Sequence, residues 1–439
     1  MIERTIMTQL NCWKDKNNRK PLLLFGARQV GKTSILKYFG SQSFDNYAHF
    51  SFDEERQLSE IFEKTKDPIR IIEQLNYLTD SPIVPQKTLI ILDEIQECPA
   101  AIASLKYFCE KAPEYPVAGA GSLLGLMLGH PGFSFPVGKV DHLDMFPLTF
   151  SEFLKAKDTK LFNYYQSINT PAPLPQLFFD KLLDSFAAYR ICGGMPEAAV
   201  MMLNGDMVQM EEKLSNILKD YSLDFIKHAT PVQANRISHV WNSLPSQLAK
   251  ENHKFVYQLV RPGARAREYE DALVWLKNAG LIYQVVLCKQ PSLPLKAYDD
   301  LNIFKAYAND IGLLRSLANL DYKIYNTPEN IFKEFKGALA ENYVLQSLIP
   351  QFGKNCHYWS SGNQAEVDFL LSTDNEVYPV EVKSDESITG KSLMQYEKSY
   401  APKLRIRYSM RNLQQDGNLL NIPLFLADRT KAILSSNSV

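Results

Sequence analysis

Two groups of residues in this sequence have types and spacings suited to phosphate chemistry. The first is Gly26-Ala27-Arg28-Gln29-Val30-Gly31-Lys32-Thr33-Ser34, which fits G-x-x-x-x-G-K-[ST] and follows the apolar run Leu22-Leu23-Leu24-Phe25. Gly26 and Gly31 permit a tight turn whose N–H groups point inward at phosphate oxygens. Lys32 supplies a point charge for the β- and γ-phosphates, and the Thr33 hydroxyl is a ligand for Mg²⁺. A helix through Phe39 adds the positive end of its dipole. Such a loop needs an acidic strand, and Thr88-Leu89-Ile90-Ile91-Leu92-Asp93-Glu94 provides one. Asp93 is placed to hold Mg²⁺ through water, and Glu94 to orient or deprotonate an attacking water. Pro116 to Ser122 reads as a further central strand. Ser122 stands where a hydroxyl would sense a γ-phosphate, although Gly-Ser is also ordinary turn chemistry. The implied ligands are ATP and Mg²⁺.

The second group lies near the C-terminus. Ile331 to Ile349 has the pattern of an amphipathic helix, with Glu341 on the same side as Ala338, Leu345 and Leu348. A carboxylate facing a core is costly unless it is paired or binds a cation. Ala365 to Leu371 alternates as a strand, with Glu366 and Asp368 on one face. In Val380-Glu381-Val382-Lys383-Ser384, Glu381 and Lys383 share a face. Thr373-Asp374-Asn375-Glu376 reads as the turn between these strands. The order acid, Asp, then Glu-x-Lys resembles the restriction-endonuclease-like fold over about residues 331–411. That resemblance implies Mg²⁺ or Mn²⁺ at Asp368 and Glu381, with Glu341 nearby. Lys383 would then position water or stabilise phosphodiester charge. Alternating charges on a solvated sheet face remain the plainer reading.

The elements that must position these groups read as three regions: 1–160, 161–325 and 326–439. In the first, a short helix from Ile2 to Trp13 precedes the glycine loop. Tyr47 to Phe52 looks like a strand, and a polar helical stretch covers Gln57 to Leu78. The loop, the Leu-Asp-Glu-Ile-Gln strand, the Gly-Ser strand end and Phe146-Pro147-Leu148-Thr149-Phe150-Ser151-Glu152-Phe153 occur in one order. That order resembles the bacterial and archaeal AAA-type P-loop ATPases that carry a C-terminal nuclease-like domain of unknown function. Where those proteins have a Gly-Arg pair, this sequence has Gly138-Lys139, and lysine lacks the planar guanidinium fork. The expected fold class is α/β: a P-loop parallel-sheet core, a helical and winged-helix middle, and a restriction-endonuclease-like C-terminal domain.

In the middle, Thr170 to Pro175 is a proline-rich break, a linker or exposed loop. Tyr189 to Glu197, with Gly193-Gly194, reads as a tight turn into a helix. The sequence from Tyr269 through Ala279, Gly280 and Leu281 to Val286 has the helix–stop–strand pattern of a winged helix. Arg261, Arg265 and Arg267 give it a basic corner that suits a nucleic-acid backbone or a solvated face. Tyr307 to Leu314 reads as a strand-to-helix turn without chemistry. Lys403, Arg405, Arg407 and Arg411 look like the charged guard of an edge strand or a contact for a nucleic-acid backbone.

The chain has 439 residues, too many for one ordinary core, and a net charge of −1. That charge excludes a strong global pull toward nucleic acid or membrane, so any DNA or RNA contact is local. Six scattered cysteines indicate neither a disulfide framework nor a zinc site. There is no signal-peptide pattern, and the apolar run from Val117 to Leu128 is too short to span a bilayer. A cytoplasmic protein fits, with oligomers open. Three function classes stay open: an ATP-gated metal-dependent nuclease, an ATP-driven switch with an inactive binding domain, and a nucleotide-regulated winged-helix transcription factor.

Overall fold

Apolar runs become interior strands. In a computed structural model, which describes residues 2–55, 57–127, 135–250, 253–325, 333–362, 365–373, 375–384 and 390–436, the chain divides into two units. One spans Glu3–Phe146 and the other Pro147–Lys277 with Leu281–Val439. Leu128, Ile331, Phe332 and Asp374, which fall in the expected apolar run, helix and turn, lie outside the described residues.

In the N-terminal unit, β1 (Leu22–Phe25), β2 (Asn46–Ser51), β3 (Thr88–Asp93), β4 (Val117–Ala120) and β5 (Asp141–Asp144) form one parallel sheet, ordered β2-β3-β4-β1-β5. Every residue of β3 and β4 is buried, as in strands covered on both faces. The accompanying helices are α1 (Ile6–Lys14), α2 (Lys32–Ser43), α3 (Leu58–Lys64), α4 (Pro68–Asn76), α5 (Pro99–Lys111) and α6 (Leu124–Met127). Ile71 and Leu75 of α4 and Ile102 and Leu105 of α5 share a core with Ile90 and Leu92. Asp93 is in register with Ala120, so β3 and β4 end level with each other. Ligands bind beyond this carboxyl edge in open α/β sheets.

The C-terminal unit begins with α7 (Phe150–Lys157), α8 (Thr159–Ser167), α9 (Gln176–Cys192), α10 (Pro196–Leu203), α11 (Met207–His228) and α12 (Pro231–Leu248). The Thr149-Phe150-Ser151-Glu152 segment has a physical reason for its sequence. Glu152 N–H donates to Thr149 Oγ1 at 3.2 Å, and Thr149 N–H donates to Glu152 Oε2 at 3.0 Å, a capping box that starts α7. Gly193 turns at φ +69°, and a Cβ on Gly194 would sit 2.3 Å from Leu148 O, so both positions require glycine. The proline-rich break joins α8 to α9 within this unit. Asn412 fastens it, accepting from Leu174 N–H at 2.9 Å and donating to Leu174 O at 2.8 Å.

Next come α13 (Tyr257–Val260), α14 (Ala266–Asn278), β6 (Ile282–Cys288) and β7 (Asp299–Ala308). Lys254 makes an isolated antiparallel bridge to Lys305 of β7. Then follow α15 (Ile311–Leu317), α16 (Tyr322–Tyr325), α17 (Lys333–Phe352), β8 (Cys356–Ser360), β9 (Glu366–Thr373), β10 (Glu376–Val382), α18 (Lys391–Tyr400), β11 (Arg405–Ser409), β12 (Gln414–Asp416), β13 (Leu419–Pro423) and α19 (Thr430–Ser436). The strands form one mixed sheet, β12-β13-β11-β10-β9-β8-β6-β7. Because β6 pairs parallel with β8, the sheet crosses the divide expected at 325/326.

One expectation is corrected here. β11 is not an edge strand: it pairs with β10 on one side and β13 on the other. Its charges are tolerated because they are matched. Arg407 is buried beside Glu381, and Arg405 Nη1 lies 2.9 Å from Glu397 Oε2.

Candidate nucleotide site and C-terminal acidic cluster

The glycine loop joins β1 to α2. Gly26 lies at φ +151°, Gln29 at +65° and Gly31 at +95°. A side chain on Gly26 would meet Met145 O at 2.3 Å. Arg4, a buried residue that carries no motif, braces the loop by donating Nη1–H to Val30 O at 2.9 Å. Lys32 begins α2, and its ammonium turns back into the loop, donating to Gly26 O at 2.9 Å and Ala27 O at 2.8 Å. Burial lowers its pKa to about 8, against the opposing pull of Glu94 and Asp93. The ammonium is thus folded back onto two loop carbonyls. Ala27 and Val30 are buried, Gly26, Gln29, Gly31 and Thr33 half-buried, and Arg28 and Ser34 exposed.

Asp93, at the end of β3, accepts hydrogen bonds from Thr33 and His49; His49 Nε2 is 3.2 Å from Asp93 Oδ2. Burial opposes the Asp93 charge, but these bonds prevail and hold its pKa below the usual value. Thr33 and Asp93 thus converge, an oxygen pair that fits a hard cation such as Mg²⁺. Glu94 adopts a left-handed backbone, φ +46° and ψ +43°, unusual for a residue with a side chain. Its Oε2 accepts from Gln96 Nε2 at 2.5 Å and from Ser122 Oγ at 3.4 Å. Ser122 is therefore turned toward Glu94. Lys139 lies 2.9 Å from Glu110 Oε1, in a surface ion pair. The sequence assigns His49 and Arg4 no role because single polar residues outside a motif have no spacing of their own, and Gln96 stands within its motif without a role.

The C-terminal group assembles in a different way. Glu341 is buried, as its helical position implied, but its partners come from elsewhere. His253 Nδ1 is 2.8 Å from Glu341 Oε2, and the Tyr307 hydroxyl donates to the same oxygen at 2.7 Å. Lys305, fully buried on β7, points its ammonium between three carboxylates. Nζ is 2.6 Å from Glu366 Oε1 and 3.9 Å from both Glu341 Oε2 and Asp368 Oδ1. The Tyr358 ring lies behind it, 4.9 Å from Nζ. Asp368 Oδ2 accepts from Val382 N–H at 2.7 Å. Glu381 is held by Lys383 at 3.2 Å and by Arg407 at 3.4 Å. Thus Glu341 and Asp368 meet around Lys305, while Glu381 and Lys383 pair with each other.

Electrostatics divides the acids of this cluster. Burial would raise the pKa of Glu341, but His253 and Lys305 bring it down to about 2. Burial and the neighbouring Glu341 charge push Asp368 up to about 8. Burial works against a charged His253, yet Glu341 outweighs it and raises the pKa. Among the described residues, no group of three or more His, Cys, Asp or Glu side chains is arranged to hold a metal. Sequence reading missed Lys305 and Tyr307, although their shared strand face within an apolar run was a usable signal. His253 gave none.

Comparison with known proteins places the loop in a family. Residues 18–154 match the AAA domain family. This segment matches an AAA-type P-loop domain. Beyond the AAA domain, residues 183–323 match a domain of unknown function, DUF8612, and residues 336–425 match another, DUF4143. Among solved structures, the chain is similar to the Walker-type ATPase PABY2304 of Pyrococcus abyssi, at 15% identity over 72% of this chain and 96% of that one, with a TM-score of 0.46. It is also similar to the Aeropyrum pernix ORC1 protein in complex with DNA, at 12% identity over 73% and 91%, with a TM-score of 0.28. A third is Drosophila ORC bound to DNA, at 13% identity over 74% and 95%, with a TM-score of 0.29. No curated protein matches. No described helix is long and apolar enough to cross a membrane.

Proposed function

We propose that this chain binds ATP with Mg²⁺ at Gly26–Ser34, hydrolyses it, and uses its nucleotide state to switch a C-terminal binding module. The observation that carries the reading is Lys32, buried in the loop with its ammonium on the Gly26 and Ala27 carbonyls. Phosphate oxygens would replace those carbonyls as acceptors. Thr33 and Asp93 would hold Mg²⁺, which neutralises charge on the β- and γ-phosphates. Glu94 takes a proton from the attacking water, its orientation fixed by Gln96 and Ser122. Lys139 is engaged by Glu110, so we assign it no part in charge transfer. The assignment is tested by titrating a fluorescent ATP analogue into wild type and Lys32→Ala. Removing one charged hydrogen-bond donor should weaken binding about 10- to 100-fold. Unchanged affinity would remove the loop from nucleotide binding.

We read residues 326–439 as a restriction-endonuclease-like fold used for binding. Lys305 inside the acidic cluster supports binding over cleavage. A second reading, an ATP-controlled nuclease using Asp368, Glu381 and Lys383 with a second Mg²⁺ or Mn²⁺, is favoured by the intact Glu381–Lys383 pair. Three helices followed by an antiparallel hairpin, α12 to β7, support a winged-helix reading of the middle region. Exposed Arg261, Arg265 and Arg267 make DNA or RNA the partner its charge suits.

A further inference from the structure

We propose that Lys305 is the resident cation of the C-terminal acidic cluster, its ammonium filling the space between Glu341, Glu366 and Asp368 and closing that space to divalent metal ions; this rests on reading the C-terminal unit as a binding module. Three carboxylates from two elements, α17 and β9, face one ammonium from a third, β7. Such convergence is costly without a cation at its centre. The side chain is fully buried. Its ammonium is bound most closely by Glu366, 2.6 Å from Oε1, a charge-assisted contact. Lys305 thus holds Glu366 directly and the other two carboxylates by charge.

The carboxylates have further partners that fit this role. Glu341 Oε2 takes His253 and Tyr307, and Asp368 Oδ2 takes the Val382 N–H. Mg²⁺ requires near-octahedral oxygen ligands at about 2.0–2.1 Å. A fixed positive charge 2.6 Å from one carboxylate and 3.9 Å from the other two occupies that space and repels a second cation. Removing the ammonium while keeping the carboxylates would leave a site with the charge and oxygen content that Mn²⁺ or Mg²⁺ accepts.

The test uses the full chain without nucleotide and follows free Mn²⁺ by electron paramagnetic resonance. Wild type should show no Mn²⁺ binding that Asp368→Asn abolishes. Lys305→Ala should gain one Mn²⁺, about tenfold or more tighter than any wild-type binding, and lose it again when Asp368→Asn is added. Lys305→Arg, which keeps the charge, should remain closed. A folded Lys305→Ala protein that takes up no Mn²⁺ overturns the proposal. If that variant does not fold, wild type decides alone: Mn²⁺ binding sensitive to Asp368→Asn overturns the proposal, and its absence supports it. Such wild-type Mn²⁺ binding without cleavage of DNA or RNA would sink this inference and leave the binding-module reading standing. Cleavage that is lost in Asp368→Asn would sink that reading as well.

Discussion

His49 belongs to no motif, yet it touches Asp93, the residue proposed to hold the nucleotide's cation. A histidine hydrogen-bonded to a metal-binding carboxylate fixes its orientation, and loss of such a partner typically costs about 10- to 100-fold in metal affinity. His49→Ala should therefore raise the Mg²⁺ concentration needed for half-maximal ATP turnover by about tenfold. A Mg²⁺ titration with an unchanged midpoint would make His49 a packing residue only. Single residues are easiest to single out in the sequence where they are grouped locally. Gly26 to Thr33 is one contiguous turn, and Asp93 ends one apolar run. Such grouping does not reach Arg4, which braces the loop at Val30 from a position with no pattern around it.

Elements set what was legible next. Strand and helix periodicity placed Glu341, Asp368, Glu381 and Lys383 on faces where they could meet; Glu341 and Asp368 face one lysine, joined by Glu366, while Glu381 and Lys383 pair with each other. That lysine, Lys305, arrives on β7, whose place in the sheet depends on a parallel β6–β8 pairing that no local pattern encodes. The same blindness made β11 look like an edge, because β13 returns beside it from later in the chain. The cluster formed by α17, β7, β9 and the His253 segment makes a pH prediction. His253 has a raised pKa, so its contribution is complete below about pH 6.5 and is lost as pH rises through the folded value. Asp368 has the same sign: its folded pKa of about 8 means that the native state loses stability as pH climbs from its unfolded value toward 8. Glu341 acts oppositely, but its pKa of about 2 confines its effect to acid. Raising the pH from 6 to 9 should thus lower the Tm of this unit by about 3 °C or more, roughly the shift made by one kcal/mol in a unit of this size. Asp368→Asn should flatten the profile. A Tm that rises over this range would contradict the assignment.

For the molecule as a whole, a net charge of −1 leaves little long-range attraction for nucleic acid. If DNA or RNA is the partner, local charge must carry the binding, and Arg261, Arg265 and Arg267 are the exposed group placed for it. Replacing all three with alanine should reduce the slope of log K against log salt by about 2–3, since each phosphate that is no longer neutralised takes away about 0.9. An unchanged slope would move the binding surface elsewhere. Composition spoke to this scale only by exclusion, since charge totals say nothing of which face carries them. The most direct measurement for the chain is ATP hydrolysis by wild type and Glu94→Gln, with nucleotide affinity measured alongside. Glu94→Gln should bind ATP as wild type does and release phosphate about 10²- to 10⁴-fold more slowly, the usual loss on removing a general base. Equal turnover in the two proteins, or no turnover in wild type despite tight ATP binding, would contradict an ATPase built on Glu94.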